Sequence, residues 1–220
     1  MKTLTLAQLF TQAEKFLKSG KYLRALCLYR KVLQRSEADW PDLERAFSGA
    51  GEGYLNLQIL AEAEDYFRQA IRFNPFEARY HYFLGLTLTR LSRFREAVFE
   101  LKLAKQVLPK NPEILRSLGW AMFFMGNLSA GERTLKQALE INPKDVLTYC
   151  DLAVIYINNY EYRKAEQVIA TAEKLSPQDP LVKNVKLACR SFRKIGRDLK
   201  SLRSPSPSSR FPSEISFSSR

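Results

Sequence analysis

Four prolines, Pro75, Pro109, Pro143 and Pro177, stand 34 residues apart by subtraction, and the apolar pattern between them moves with them. The unit is clearest between Phe47 and Pro75. Phe47, Ala50, Gly51 and Tyr54 fall on one face of a helix, and Ala63, Phe67 and Ala70 fall on one face of a second. Small residues let two antiparallel helices approach closely, while the aromatic rings fill the space beside them. Pro75 stops the second helix, because proline lacks the N–H and its ring clashes with the preceding turn. One such pair cannot bury both of its faces, so it needs neighbours.

The following copies keep the register. His81, Leu84, Gly85, Leu88, Ala97, Leu101 and Ala104 precede Pro109. Leu115, Leu118, Gly119, Met122, Gly131, Leu135 and Ala138 precede Pro143. Tyr149, Leu152, Ala153, Tyr156, Ala165, Ile169 and Ala172 precede Pro177. Upstream, Leu9, Ala13, Phe16, Gly20, Tyr22, Ala25, Tyr29 and Val32 form a degenerate copy with no closing proline. Period and residue types together resemble the tetratricopeptide repeat family. That resemblance implies an all-α fold: a right-handed superhelical solenoid of five helix-turn-helix repeats. It divides the chain into an atypical first repeat (1–39) and four consecutive repeats (40–179). Asp39-Trp40-Pro41 reads as the entry to the second pair, with Pro41 in the first helical turn. Gly20 and Gly126 supply permissive backbone at two of the turns between paired helices, where the other copies carry Gln58, Ser92 and Tyr160.

From Pro180 the pattern changes. Leu181, Val185, Ala188, Phe192, Ile195 and Leu199 form one apolar stripe, and Lys183, Lys186, Arg190, Arg193, Lys194, Arg197 and Lys200 occupy much of the remaining circumference. This predicts a basic amphipathic helix over 180–200 that caps the last repeat through its stripe. Lys183 and Lys186 stand where a sixth repeat would need apolar residues, so the array stops. Residues 201–220 are rich in Ser, Pro and Arg and read as a disordered tail, in which Ser204-Pro205 and Ser206-Pro207 are candidate sites for a proline-directed kinase.

Charge bears on partners only at this end. Of the net +12, the residues from Leu181 onward supply ten Lys/Arg against Asp198 and Glu214. Binding of nucleic acid or an anionic membrane through the basic helix is a second hypothesis. It is disfavoured because the apolar stripe is expected to be covered by the last repeat. The first twenty residues are interrupted by Gln8, Gln12, Glu14, Lys15 and Lys18, which is no signal-peptide core, and three cysteines far apart read as reduced thiols. Both point to the cytoplasm. His81, the only histidine, sits at a packing position; no phosphate loop, nucleophile elbow or zinc spacing is present, so neither an enzyme nor a bound cofactor or metal is expected.

The resemblance places the inner face of the solenoid on the first helix of each pair. The candidate peptide groove is thereby Arg79, Tyr82, Leu86, Arg90, Arg116, Trp120, Phe123, Phe124, Cys150, Val154 and Ile157, aromatic towards its C-terminal half and bordered by arginines suited to acidic flanks. The clamp by which some family members hold a chaperone's terminal carboxylate is not reproduced: its places hold Phe10, Glu14, Gly49, Arg79 and Phe83. A protein–protein adaptor that takes an apolar or amphipathic segment of a client follows. A dedicated chaperone for a secreted or assembling client is the alternative, and self-association through the same groove stays open.

Overall fold

The computed structural model describes residues 4–35 and 38–203, and over these the chain forms eleven helices and no strand. They are α1 (Leu6–Lys18), α2 (Tyr22–Leu33), α3 (Trp40–Asn56), α4 (Leu60–Phe73), α5 (Ala78–Arg90), α6 (Phe94–Val107), α7 (Pro112–Phe124), α8 (Leu128–Ile141), α9 (Val146–Asn158), α10 (Tyr162–Leu175) and α11 (Pro180–Arg203). Five antiparallel pairs stack in chain order, and α11 packs on α10 and α9. This is the expected solenoid of five repeats closed by a helix.

Local chemistry sets the beat. Glu77, Asn111, Asp145 and Asp179, each two residues past a repeat proline, offer a side-chain oxygen to the N–H two residues on, at 3.1, 2.9, 3.1 and 2.7 Å. The first helix of each pair, and α11 with them, thus starts on a side-chain cap. The second helices follow a left-handed turn residue, and among them only α8 adds a side-chain cap, from Asn127 to the Ala130 N–H. Gly20 and Gly126 hold φ of 73° and 89°, and Gln58, Ser92 and Tyr160 adopt φ near 60° at the equivalent places. Tyr160 is 78% exposed, so its ring gains little from burial while its backbone bears the left-handed penalty. Tyr160→Gly is therefore expected to stabilise the chain by about 0.5–1 kcal/mol. A lowered urea midpoint would contradict this.

Close approach within the pairs explains the small residues. A Cβ on Gly85 would lie 2.5 Å from Leu101 Cγ, one on Gly119 2.9 Å from Leu135, and one on Gly131 2.8 Å from the Gly119 carbonyl oxygen. Between pairs, α1, α3, α5, α7, α9 and α11 form an unbroken series of contacts. Among the described residues, no second helix comes within 8 Å, Cα to Cα, of another second helix. The stack therefore curves with its first helices on the inside.

Helix ends follow the local chemistry. Helix α3 begins at Trp40, with Pro41 in its first turn, because the Asp39 carboxylate caps it through the Asp42 N–H at 3.1 Å. The last helix reaches Arg203, past the expected 200, since nothing breaks it before the residues that precede Pro205. The remaining tail, with both Ser-Pro pairs, lies outside the described residues.

The capping helix sits differently from its predicted stripe. Val182, Val185 and Cys189 are buried against α9 and α10. Leu181, Phe192 and Ile195 are exposed, and Ala188 is half-buried. Helix α11 occupies the place of a sixth first helix, whose inward positions are 34 residues on from Thr148, Asp151 and Ile155, and this rotates the docked face by roughly one residue. Ion pairs fix the rotation: Lys186 Nζ lies 2.6 Å from Glu173, and Arg193 pairs with Glu166.

Candidate binding face on the inner helices

Two different surfaces share the inside of the curve. Helices α1, α3 and α5 border a polar concavity of about 550 Å³, lined among others by Glu14, Tyr29, Arg45, Ser48, Glu52 and Arg79. Here successive first helices are tied by charge: Arg45 to Glu14 and Arg79 to Glu52. The guanidinium of Arg45 also lies 4.5 Å from the Phe10 ring centroid, and that of Arg79 lies 5.5 Å from Phe83. Burial, with Glu14 and Glu52 nearby, pushes the Tyr29 hydroxyl up to about 12, so it remains a neutral donor.

Further along, the ties continue while the surface turns aromatic. Arg116 Nε donates to Asp151 at 2.9 Å, and the Arg90 guanidinium donates to the Leu55 carbonyl at 3.1 Å. Burial holds the Asp151 carboxyl above its usual range although Arg116 opposes it. All three predicted groove arginines are thus engaged within the protein. They lace neighbouring helices together: Arg79 and Arg116 meet carboxylates, while Arg90, exposed, donates to a neutral carbonyl and keeps its charge.

The aromatic residues form one connected group. Trp120 stacks on Phe123 at 5.3 Å and meets Phe124 edge-on at 4.9 Å, and Phe124 stacks on Phe94 at 5.0 Å. Phe124 is 44% exposed, and with Met125 and Phe94 it opens a shallow depression of about 370 Å³ beside the α5–α6 turn. Tyr82, Leu86, Trp120, Phe123 and Val154 are half-buried on this side, and Leu147 is exposed. Cys150 and Ile157 do not line the surface. They are buried in the core that α9 shares with α10 and α11, because the capping helix covers that part of α9. Burial also pushes the Cys150 thiol up to about 11, which removes it as a nucleophile at neutral pH.

Phe94 and Met125 were missed by reasoning from first-helix positions, since one opens a second helix and the other ends the first. The signal for Phe94 was legible as one of the large residues that open each second helix, Tyr22, Leu60, Phe94, Leu128 and Tyr162. Of the basic residues on α11, Lys186 and Arg193 are spent on ion pairs, whereas Lys183, Arg190 and Lys194 are not paired to a carboxylate among the described residues. The side chain of Arg197 lies outside them. His81 is buried and tethers helices: Nδ1 lies 2.7 Å from Glu100 and Nε2 2.9 Å from the Pro75 carbonyl. Among the described residues no cluster could hold a metal ion, and no helix is long and apolar enough to cross a membrane.

A curved stack of helix pairs with a continuous inner face defines the class of helical-repeat binding scaffolds. The chain belongs to the tetratricopeptide repeat family, whose profiles match residues 10–78, 49–106 and 134–167. It is 38% identical over 85 residues to a TPR repeat-containing protein of Pseudomonas aeruginosa, a match that spans 38% of this chain and 14% of that protein. Among solved structures it resembles YrrB, described as a TPR protein with an unusual peptide-binding site, with a TM-score of 0.66 at 22% identity, over 83% of this chain and 92% of that one. It also resembles MamA from Desulfovibrio magneticus RS-1, with a TM-score of 0.70 at 17% identity, over 81% of this chain and 99% of that one. At these identities the two structures speak for the fold.

Proposed function

We propose that this protein–protein interaction scaffold is a non-enzymatic adaptor whose inner face takes an apolar or amphipathic segment of another protein, seated on the aromatic half between α5 and α9. The observation that carries the reading is the connected Trp120–Phe124–Phe94 group with Phe124 left open to solvent. Arg79 and Arg116 already meet carboxylates, which leaves Arg90 as the groove arginine whose charge could favour an acidic flank of that segment. The peptide-binding site attributed to YrrB is in keeping with this use of the fold.

A contiguous apolar patch on a charged surface is a binding site far more often than an accident. Burying one such side chain in a partner contributes about 1.5–3 kcal/mol. Affinity capture with the intact chain, compared with a Trp120→Ala/Phe124→Ala variant, tests the reading. Partner recovery should fall at least about tenfold, with unchanged helicity by circular dichroism. Because Trp120 is half-buried, Phe124→Ser alone serves as a control that leaves the core intact, and it should show the same direction of loss. Undiminished capture by both variants would reject the aromatic half as the site.

A further inference from the structure

The capping helix presents a second exposed surface, which runs from the open end of the stack at Leu187 round to the inner side, where Phe192 stands 68 residues on from Phe124. Leu187, Phe192 and Ile195 are 65%, 54% and 52% exposed, beside Lys183, Arg190 and Lys194. We propose that this face of α11 docks on an anionic lipid bilayer, with the three apolar side chains entering the headgroup boundary and the three cations meeting lipid phosphates and carboxylates.

The register argues against a helix as the natural cover. In each preceding repeat the second helix packs over a small residue at the place 34 residues earlier: Ala153, Gly119, Gly85 and Gly51. There is no room for a Cβ at Gly85 or Gly119, yet α11 carries the branched Leu187 at the corresponding place. Lys183 and Arg190 likewise stand where Tyr149 and Tyr156 face α10. A close-packed helical partner is blocked, whereas a deformable interface accommodates the side chains.

Charge argues against a second copy. Residues 181–203 hold eight Lys/Arg against Asp198, and residues 1–35 hold eight against Glu14, while residues 36–180 hold seventeen against twenty acids. Both ends of the stack are strongly basic. End-to-end pairing in either sense brings like charges together, and an anionic surface relieves them. An amphipathic helix with Lys/Arg beside Phe, Leu and Ile is the pattern that lies in a lipid interface, and basic residues near such a surface each strengthen binding several-fold.

Sedimentation of the full chain with phosphatidylcholine vesicles containing about 30% phosphatidylserine, against pure phosphatidylcholine vesicles, tests this at roughly 100 mM salt. The chain should pellet with the anionic vesicles and stay in solution with the neutral ones. Phe192→Ser/Ile195→Ser should weaken partitioning about tenfold or more, and Arg190→Ala/Lys194→Ala about fivefold for each cation removed. All four side chains are partly or fully solvent-facing, so folding is retained, as circular dichroism will show. No pelleting with anionic vesicles overturns the proposal. So does pelleting that the serine variant leaves unchanged, which would reduce the effect to bulk charge. A dimer in light scattering that the serine variant dissolves would assign the face to a second copy instead.

Discussion

Phe67→Ala is expected to destabilise the chain by about 3–5 kcal/mol, the range for deleting a fully buried phenyl ring. Phe67 is 0% exposed and fills the gap that Gly51 leaves open: a Cβ on Gly51 would lie 2.8 Å from its ring. The ring also stacks on Phe83 of the next repeat at 5.4 Å with an interplanar angle of 12°. Its removal therefore empties space both within a pair and between pairs. Gly51 has no side chain to move in, and Ala63 and Ala70 are too small to close the hole. Stability in such arrays is a sum of repeat and interface terms, so the loss should also loosen coupling between α1–α4 and the rest. Urea unfolding followed by circular dichroism should show a lower midpoint and a broadened transition. A change below about 1 kcal/mol would mean that the interface does not depend on this ring.

The second large effect concerns His81. Both of its ring nitrogens face acceptors, the Glu100 carboxylate and the Pro75 carbonyl, and a neutral imidazole can donate to only one of them. The hydrogen bond to Glu100, against the opposing cost of burial, raises the folded-state pKa above its ordinary value. A raised histidine pKa contributes stability that is fully present below the unfolded value near 6.5 and is lost as pH rises through the folded value. Stability should thus decline from about pH 6.5 upward, by an amount that His81→Gln removes. That substitution should itself cost about 1–3 kcal/mol at pH 6, because the largely buried Glu100 loses its charged partner. Parallel pH profiles for the two proteins would remove His81 as the source.

Much of this architecture was written in the residue pattern. The 34-residue recurrence of proline, small residue and aromatic identified the helix pairs and their number, because close helix packing demands small side chains at fixed places. The inner-face positions Tyr82, Trp120, Phe123, Phe124 and Val154 were assigned from the same register. What the pattern could not show was which of these were already engaged. Arg79, Arg90 and Arg116 read as free cations in one dimension, yet each finds its acceptor 27 to 35 residues away. Cys150 and Ile157 occupy groove register, but α11 folds over that stretch of α9.

The sequence by itself determined the period, the fold and the direction in which aromatic character increases, since each follows from local spacing and from what a single helix can bury. Only the tertiary structure decided the rotation of α11 and the pairing of charge along the inner face. Those depend on contacts between residues far apart in the chain, where Lys186 and Arg193 reach across to Glu173 and Glu166. An amphipathic stripe is wider than the contact it makes, and the partner helix selects which part of it is buried.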